Sequence, residues 1–414
     1  MESVSELLDS IDDVGRDARC GGYSRPVYST AELDLRGWFI EQAQRRGLDV
    51  ETDRNGAIWA WWGAPPSNAD TSGALVTGSH LDSVPGGGAF DGPLGVASAL
   101  AAIDKMRERG ITAGEGGTRP LAVTVFPEEE GSRFGVACLG SRLMTGAIDP
   151  DRARSLTDAD GATFAEAARA NGLNPEHIGP DRTAMTRIGQ FVELHVEQGR
   201  GQIDLGPADS SENAIAIGSS ILGHGRWKFT VFGQGNHAGT TLMADRADPM
   251  VAAARIVLAV QQVAAGRDDA RATVGRLQPV PGGTNVIASK VEMWMDVRHP
   301  DDAVTASLVT KIHGKAQIAA AEEGCSVTLT EESYSNTVHF DTRLQSDLQD
   351  LLPGAPTLAT GAGHDAGVLA AKVPSAMLFV RNPTGISHSP EEAIERRDAD
   401  AGAEALADVL AGLL

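Results

Sequence analysis

The chain has 414 residues, enough for two domains, and its 42% apolar and 22% charged residues are ordinary for a soluble globular protein. The net charge of −21 argues against binding to nucleic acid or to an anionic membrane, because both need a basic surface. No apolar run approaches the roughly 20 residues that span a bilayer, and the acidic N-terminus lacks the features of a secretory signal, so we expect a cytoplasmic protein. Cys20, Cys138 and Cys325 form no C-x-x-C pair, which predicts free thiols.

Strand-like and helix-like segments alternate in the first and last parts of the chain. Helical patterns cover residues 31–46 and 93–109, and the chain ends on an amphipathic helical pattern at 398–414. Short apolar runs bounded by polar or glycine-rich residues predict four buried strands, at 74–77, 121–126, 191–196 and 376–380. This alternation predicts an α/β domain with a mostly parallel sheet flanked by helices.

The middle of the chain has a different pattern, in which polar residues interleave with apolar ones along the strands. The expected strands and helices there are 226–232, 248–264, 291–297 and 301–323. We therefore predict a small α+β domain, residues 214–329, inserted into a larger domain formed by residues 1–213 and 330–414.

Metal-ligand side chains lie at or beyond the ends of the four predicted buried strands. They are His80 after the first strand, Glu128, Glu129 and Glu130 after the second, His195 in the third and His388 after the fourth. The carboxyl ends of parallel strands meet at one edge of a sheet, which is where α/β proteins bind ligands. The sequence therefore predicts a metal site at this edge.

Two aspartates complete the predicted site. Asp91 lies in a glycine-rich loop just before the helix at 93–109, and glycine lets the backbone approach a ligand closely. Asp82, two residues after His80, suits a carboxylate that hydrogen-bonds the other nitrogen of that imidazole. Three histidines with carboxylates favour Zn²⁺, with Mn²⁺, Co²⁺ or Ni²⁺ also compatible.

Seven motifs identify a family resemblance that extends from about residue 21 to the C-terminus. In order they are GSHLDSVPGGGAFDGPLGV, FPEEEGSRFG, ELHVEQG, GNHAGTT, PGGTNVI, GAGHDAG and FVRNPTGISHSP. Together they resemble the N-carbamoyl-L-amino-acid hydrolases and allantoate amidohydrolases of the dinuclear-metal aminoacylase/carboxypeptidase superfamily.

The resemblance implies two divalent metal ions that share one carboxylate. One ion would be held by His80, Asp91 and His195, and the other by Asp91, Glu130 and His388. Glu129 would be the general base. The inserted domain, residues 214–329, would be a lid that also forms a homodimer.

The resemblance also implies substrate contacts. His237 in GNHAGTT would reach the active site of the neighbouring subunit and stabilise the oxyanion, and Asn285 and Arg298 would bind the α-carboxylate of a small-molecule substrate. Gln198 would contact the substrate, and His364 would either face the substrate or support the metal ligands.

Arg226 leaves the substrate class open. It lies eleven residues before His237, and an arginine at this position resembles the allantoate amidohydrolases. The motifs GSHLDSV, FDGPLGV and GISHSP instead resemble those of the carbamoylases more closely. The expected function is hydrolysis of a linear amide or ureido C–N bond in allantoate or an N-carbamoyl-L-amino acid. The alternatives are an N-formyl- or N-acyl-amino-acid amidohydrolase, for example one acting on an acidic amino acid, and a dipeptidase on the same scaffold. A non-catalytic metal-binding protein is disfavoured by the paired carboxylates.

Overall fold

The computed structural model describes residues 2–67, 73–206 and 213–414. The chain divides into two compact units, which are Met1–Ser220 with His339–Leu414, called the large unit below, and Ile221–Val338, called the small unit. The bounds of the small unit differ from the expected 214–329. It begins later because the strand at 215–221 pairs in the large sheet, and it ends later because the strand at 326–335 pairs in the small sheet.

The regular elements alternate through most of the described residues. The α-helices are α1 (Val4–Asp9), α2 (Thr30–Arg45), α3 (Pro93–Glu108), α4 (Leu139–Thr145), α5 (Pro150–Ser155), α6 (Phe164–Ala170), α7 (Arg182–Arg187), α8 (Gly201–Asp204), α9 (Pro249–Ala265), α10 (Asp302–Glu322), α11 (Thr342–Leu351), α12 (Asp365–Leu369) and α13 (Arg396–Leu413). The β-strands are β1 (Asp49–Thr52), β2 (Ile58–Trp62), β3 (Ala74–His80), β4 (Leu121–Phe126), β5 (Ile188–Val196), β6 (Ile215–Ile221), β7 (Gly223–Phe232), β8 (Asn236–His237), β9 (Arg271–Val280), β10 (Val286–Ile287), β11 (Lys290–His299), β12 (Ser326–Ser335), β13 (Val338–His339), β14 (Thr357–Thr360) and β15 (Ser375–Val380).

The large sheet has the strand order β1-β2-β4-β3-β5-β15-β6-β13, with β14 pairing with β6. Its four central neighbours, β4, β3, β5 and β15, are all parallel, while β2 and β6 pair antiparallel on either side of them. These are the four strands predicted from apolar runs, and the predicted α/β class with a mainly parallel central sheet is confirmed. The carboxyl ends of β4, β3, β5 and β15 therefore lie side by side.

The main apolar core packs helices against this sheet. It includes buried residues of α2, α3 and α13, such as Phe39, Leu100 and Leu406, together with Val123 and Leu378 from the strands. The predicted helices at 31–46, 93–109 and 398–414 are confirmed with small shifts at their ends. Helix α3 begins at Pro93, where the fixed φ of proline suits the first helical position.

The small unit is an antiparallel sheet with the order β12-β7-β11-β9 and two helices. Alternate residues of β7 and β11 are buried, and residues such as Phe229 and Met293 pack with Ile256 of α9 and Ile312 of α10. The other face of this sheet carries no core residue of this cluster, which is the usual arrangement for an antiparallel sheet with one solvated face. The predicted strands and helices of this region are confirmed. Separately, β8 and β10 form a two-stranded ribbon.

Within the described residues, no helix is long and apolar enough to cross a membrane. The cytoplasmic location stays a prediction.

Candidate metal centre and active site

His80 and His195 lie at the carboxyl ends of the adjacent parallel strands β3 and β5, with their Nε2 atoms 3.5 Å apart. The Nδ1 atom of His80 is 3.0 Å from the carbonyl oxygen of Asp82, and that of His195 is 2.9 Å from the carbonyl oxygen of Val196. Because a carbonyl oxygen only accepts hydrogen bonds, each Nδ1 carries a hydrogen, and the neutral ring keeps its lone pair on Nε2. Two such lone pairs facing each other repel unless a cation lies between them.

Asp91 joins this pair of imidazoles to a third one. Its Oδ1 lies 3.4 Å from Nε2 of His80 and 3.2 Å from Nε2 of His195, whereas its Oδ2 lies 3.3 Å from Nε2 of His388. Burial opposes ionisation of Asp91, but the close contacts with the imidazoles of His195, His388 and His80 outweigh it and hold the pKa of this carboxyl well below its usual range. Asp91 therefore remains an anion at the centre of the cluster.

Glu130 and His388 form a second group of potential ligands around Asp91. The Oε2 atom of Glu130 is 3.4 Å from Nε2 of His388, and its Oε1 is buried without a hydrogen-bond partner among the described residues. Burial and the nearby Asp91 raise the pKa of Glu130 to about 7, and the hydrogen bond to Asp91 is the main reason that the pKa of His388 rises to about 9. Two carboxylates and an imidazole thus converge at a point where one carboxylate oxygen has no partner.

These side chains fit divalent metal ions. Ligand atoms of His80, Asp91 and His195 lie within 4.8 Å of one another, and so do those of Asp91, Glu130 and His388. The facing lone pairs of the first group and the unpartnered Oε1 of Glu130 in the second both favour a cation. Imidazole nitrogens with carboxylate oxygens are the donor set that Zn²⁺ and related transition-metal ions prefer.

The backbone around Asp91 is held by a residue that the sequence analysis did not identify, Glu392. Its Oε1 accepts hydrogen bonds from the backbone N–H groups of Phe90 (2.9 Å) and Asp91 (3.0 Å), and its Oε2 accepts one from the Ser387 hydroxyl (2.9 Å). Glu392 therefore connects the loop of Asp91 to the loop of His388. Its burial is the distinguishing feature, and the sequence around it, SPEEAIE, gives no signal of that burial.

Gly92 allows Asp91 to approach the histidines. Its φ of +82° is a left-handed conformation that favours glycine, and a Cβ at this position would lie 2.6 Å from Cε1 of His80. The close contact between Asp91 and the histidines therefore requires a glycine at position 92, as predicted from the glycine-rich sequence of this loop.

The three consecutive glutamates after β4 have different environments. Glu128 has a left-handed φ of 55°, and its Oε1 accepts backbone hydrogen bonds from Arg133 and Phe134, so it stabilises its own loop. The Oε2 atom of Glu129 is 3.7 Å from Nε2 of His80, and its Oε1 accepts a hydrogen bond from the Cys138 thiol at 3.2 Å. Burial, with the neighbouring Asp365 and Glu130 adding to it, raises the pKa of Glu129 well above its usual range despite the opposing effect of His80.

Asp82 differs in one respect from the expected hydrogen bond to His80. Its carboxylate Oδ1 is 3.6 Å from Nδ1 of His80, too far for a hydrogen bond, and its backbone carbonyl takes that role instead. The carboxylate accepts the backbone N–H groups of Glu129 and Glu130, each at 3.1 Å. The backbone carbonyl of Asp82 thus orients His80, and its carboxylate holds the backbone of the two glutamates.

Gln198 and His364 both lie against the proposed metal ligands. The Nε2 of Gln198 donates to Oδ2 of Asp91 at 2.7 Å and is 3.3 Å from Nε2 of His388, while its Oε1 is buried without a partner among the described residues. The ring of His364 is buried 4.5 Å from the ring of His195, centroid to centroid. Burial and the adjacent His195 hold the pKa of His364 well below its usual range, so its ring is neutral.

In the small unit, His237 is exposed and presents the opposite tautomer to the buried histidines. Its Nδ1 accepts hydrogen bonds from the backbone N–H groups of Gly239 (3.0 Å) and Thr240 (3.2 Å), so the neutral ring carries its hydrogen on Nε2. The ribbon of β8 and β10 brings Asn285 beside it, with the Asn285 carbonyl accepting the N–H of Ala238 at 3.0 Å. His237 is therefore arranged as a hydrogen-bond donor, whereas His80 and His195 present lone pairs.

Arg226 and Arg298 lie on the open face of the small sheet and share one carboxylate. Arg298 donates to both oxygens of Asp296, at 2.7 Å and 3.1 Å, and Nε of Arg226 is 3.8 Å from Oδ2 of Asp296. Asp296 was not among the residues predicted from the sequence. Its position two residues before Arg298 on a strand, which places both side chains on one face, was an available signal.

Comparisons with known proteins identify the family of this chain. The sequence profile described as Peptidase family M20/M25/M40 matches residues 76–412. The N-carbamoyl-L-amino acid amidohydrolase of Geobacillus stearothermophilus is 33% identical over 98% of this chain and 96% of its own length, and the allantoate amidohydrolase of Escherichia coli strain K12 is 30% identical over 99% and 97%. The crystal structure of an amidase of the hydantoinase/carbamoylase family from Burkholderia vietnamiensis superimposes with a TM-score of 0.85, at 28% identity over 99% of this chain and 96% of that one.

Proposed function

Because the chain belongs to Peptidase family M20/M25/M40 and is a hydrolase of C–N bonds other than peptide bonds, we propose that it uses two divalent metal ions to hydrolyse the ureido group of allantoate or of an N-carbamoyl-L-amino acid. The observation that carries the two-metal proposal is the position of Asp91. One of its oxygens faces His80 and His195, and the other faces His388. A carboxylate shared in this way is the usual bridge between two metal ions.

The proposed chemistry divides between the metal ions and the side chains around them. Zn²⁺ or Mn²⁺ ions held by the two groups of ligands would lower the pKa of a bound water and polarise the scissile carbonyl. Glu129 accepts a proton from the attacking water and passes it to the leaving nitrogen, which its position beside His80 favours. Cleavage of a carbamoyl group then releases the amine together with ammonia and carbon dioxide.

A panel of substrates tests this function. The purified protein is assayed with allantoate, N-carbamoyl-, N-formyl- and N-acetyl-L-amino acids and dipeptides, each in the presence of Mn²⁺, Zn²⁺ or Co²⁺. We expect the largest kcat/KM on a ureido compound. A preference for N-acyl amino acids or dipeptides over every ureido compound would overturn the ureido assignment and support the alternative expected from the sequence.

Removal of metal ions is expected to abolish activity and lower the melting temperature. An ion present at a hundredfold excess over its Kd stabilises the folded state by roughly 2.7 kcal/mol, and we expect the melting temperature to fall by about 5 °C without it. Activity and thermal unfolding are measured after chelation and dialysis. Mn²⁺ or Zn²⁺ should restore both properties, and Mg²⁺ serves as the control because it prefers sites made only of oxygen ligands. Full activity in protein shown to be free of metal would contradict the proposal.

We also propose that His237 donates a hydrogen bond to the oxyanion in the neighbouring subunit of a homodimer. The tautomer that Gly239 and Thr240 impose leaves an N–H on Nε2, as this role requires. Replacing His237 by alanine is expected to lower kcat by on the order of 10²-fold to 10³-fold.

Mixed dimers test whether His237 acts across subunits. A dimer of one His237→Ala subunit and one Glu129→Gln subunit would retain one complete site, so a random mixture should recover about a quarter of the wild-type activity. Size-exclusion chromatography of differently tagged subunits verifies that mixed dimers form. If they form and no activity returns, His237 does not act on the partner's site.

Arg298 is proposed to bind the substrate α-carboxylate, for which its planar guanidinium is suited. Arg298→Ala should raise KM by on the order of tenfold to a hundredfold, with a smaller change in kcat, because the interaction is made with both substrate and transition state. Steady-state kinetics measure this split. The control is Arg255→Ala, which removes an arginine paired with Glu322 and Glu323 on the helices of the same unit. An unchanged KM in Arg298→Ala would exclude the assignment.

A further inference from the structure

Cys138 is a buried residue of the large unit that contacts the proposed general base, Glu129. It directly precedes helix α4 and is 2% exposed. Its Sγ lies 3.2 Å from Oε1 of Glu129, and among the described residues no other group donates a hydrogen bond to this carboxylate. An ionised carboxylate can only accept hydrogen bonds, so the thiol is the donor whenever Glu129 is charged.

The backbone beside this contact is paired independently of the thiol. Three consecutive amides at the start of α4 donate to three consecutive carbonyls of the loop that carries Glu129. The pairs are Cys138 to Glu129 at 2.6 Å, Leu139 to Glu128 at 3.0 Å and Gly140 to Pro127 at 3.1 Å. The first amides of a helix have no partner within it, and this loop satisfies them. Removal of the thiol alone therefore leaves the two segments joined.

The backbone conformation of Cys138 indicates that its side chain has a use. Its φ of 54° and ψ of 36° are left-handed, which is uncommon and costly for a residue other than glycine. Glycine at this position would avoid the cost, but it would leave Oε1 of Glu129 without a donor. The costly conformation coincides with the one side chain that reaches the carboxylate.

The environment of Cys138 keeps its thiol protonated. Burial raises the pKa of this thiol well above its usual range, and the negative charge of Glu129 adds to the effect, while Arg142 opposes it without outweighing it. The thiolate is the nucleophilic form of cysteine, so a nucleophilic role for Cys138 is disfavoured. Its S–H group is instead available as a permanent hydrogen-bond donor.

We propose that Cys138 is a positioning residue for Glu129, whose Oε1 it anchors so that Oε2 stays turned towards Nε2 of His80. This inference rests on the proposed function, in which Glu129 transfers the proton of the attacking water. A glutamate side chain has several rotatable bonds, and contacts are needed to restrict it to one arrangement. With Oε1 anchored, the oxygen that lies 3.7 Å from Nε2 of His80 remains the one that exchanges the proton.

Substitutions of Cys138 separate positioning from packing. Cys138→Ala removes the donor, and we expect kcat to fall on the order of tenfold on the best substrate of the panel, with KM and metal content within about twofold of the wild type. Cys138→Ser restores a donor of shorter reach and should recover most of the lost kcat. Cys20→Ala is the control, since Cys20 is an exposed cysteine of the same unit. Melting temperatures verify that the variants are folded.

A double-mutant cycle tests whether the effect of Cys138 passes through Glu129. In the Glu129→Gln background, Cys138→Ala should change the residual kcat by less than about twofold, whereas an effect through the fold would lower it by about tenfold again. An equal loss in both backgrounds, no recovery in Cys138→Ser, or a wild-type kcat in Cys138→Ala would overturn the inference and leave the proposed function intact. Full activity in Glu129→Gln, or no hydrolysis of any compound in the panel, would overturn both together.

Discussion

Glu129→Gln is expected to lower kcat by on the order of 10³-fold while metal content stays close to that of the wild type. Glutamine has almost the same shape as glutamate but cannot accept and release a proton. The Cys138 thiol already contacts Oε1 of Glu129, and the other oxygen lies 3.7 Å from Nε2 of His80, so the substitution changes chemistry rather than position. Steady-state kinetics and elemental analysis of the dialysed protein measure the two quantities.

The neighbouring Glu128 provides a matched control. Its Oε1 accepts backbone hydrogen bonds from Arg133 and Phe134, and the oxygen of a glutamine can accept the same two bonds. Glu128→Gln should therefore retain kcat within a few-fold of the wild type. Near-normal activity in Glu129→Gln would remove Glu129 from the role of base, and a loss of metal in that variant would show that the residue acts as a ligand instead.

The sequence was sufficient to predict which edge of the sheet carries the candidate metal ligands but not the environments of the individual glutamates. Apolar runs identify β3, β4, β5 and β15 because parallel strands buried on both faces are almost continuously apolar. Which of Glu128, Glu129 and Glu130 faces His80 depends on the left-handed turn at Glu128, and no periodicity encodes that turn. The assignment of Glu129 and Glu130 came from the family resemblance.

The residues that were missed act through contacts between distant segments. Glu392 holds the backbone of Asp91 from a position some three hundred residues along the chain, and the imidazoles of His80 and His195 are oriented by backbone carbonyls, which no side-chain motif can indicate. The ends of the small unit differ from the expected 214–329, because β6 pairs with β15 of the large sheet and β12 continues to Ser335 in the small one. Tertiary contacts determine each of these features.

Asp91→Asn is expected to lower the metal content from two ions per subunit to one or fewer and to reduce kcat/KM by roughly 10³-fold or more, since metal ions supply several kcal/mol of transition-state stabilisation and about 1.4 kcal/mol corresponds to a tenfold change. An asparagine offers one oxygen in place of two. Whichever group of ligands the oxygen faces, the other faces an NH₂ group that cannot bind a metal ion. The negative charge that balances three imidazoles is lost as well.

Comparison with Glu130→Gln distinguishes a shared carboxylate from an ordinary ligand. Glu130 belongs to the group with His388 alone, so its substitution should release one ion and leave the ion at His80 and His195, whereas Asp91→Asn should weaken both. Asp181→Asn is the control, since Asp181 is a buried aspartate that caps α7 and pairs with Arg54 instead of joining either group of ligands. Elemental analysis of the dialysed variants gives the number of ions. If Asp91→Asn retained two ions, Asp91 would not bridge them, and the facing imidazoles of His80 and His195 would have to hold their ion without it.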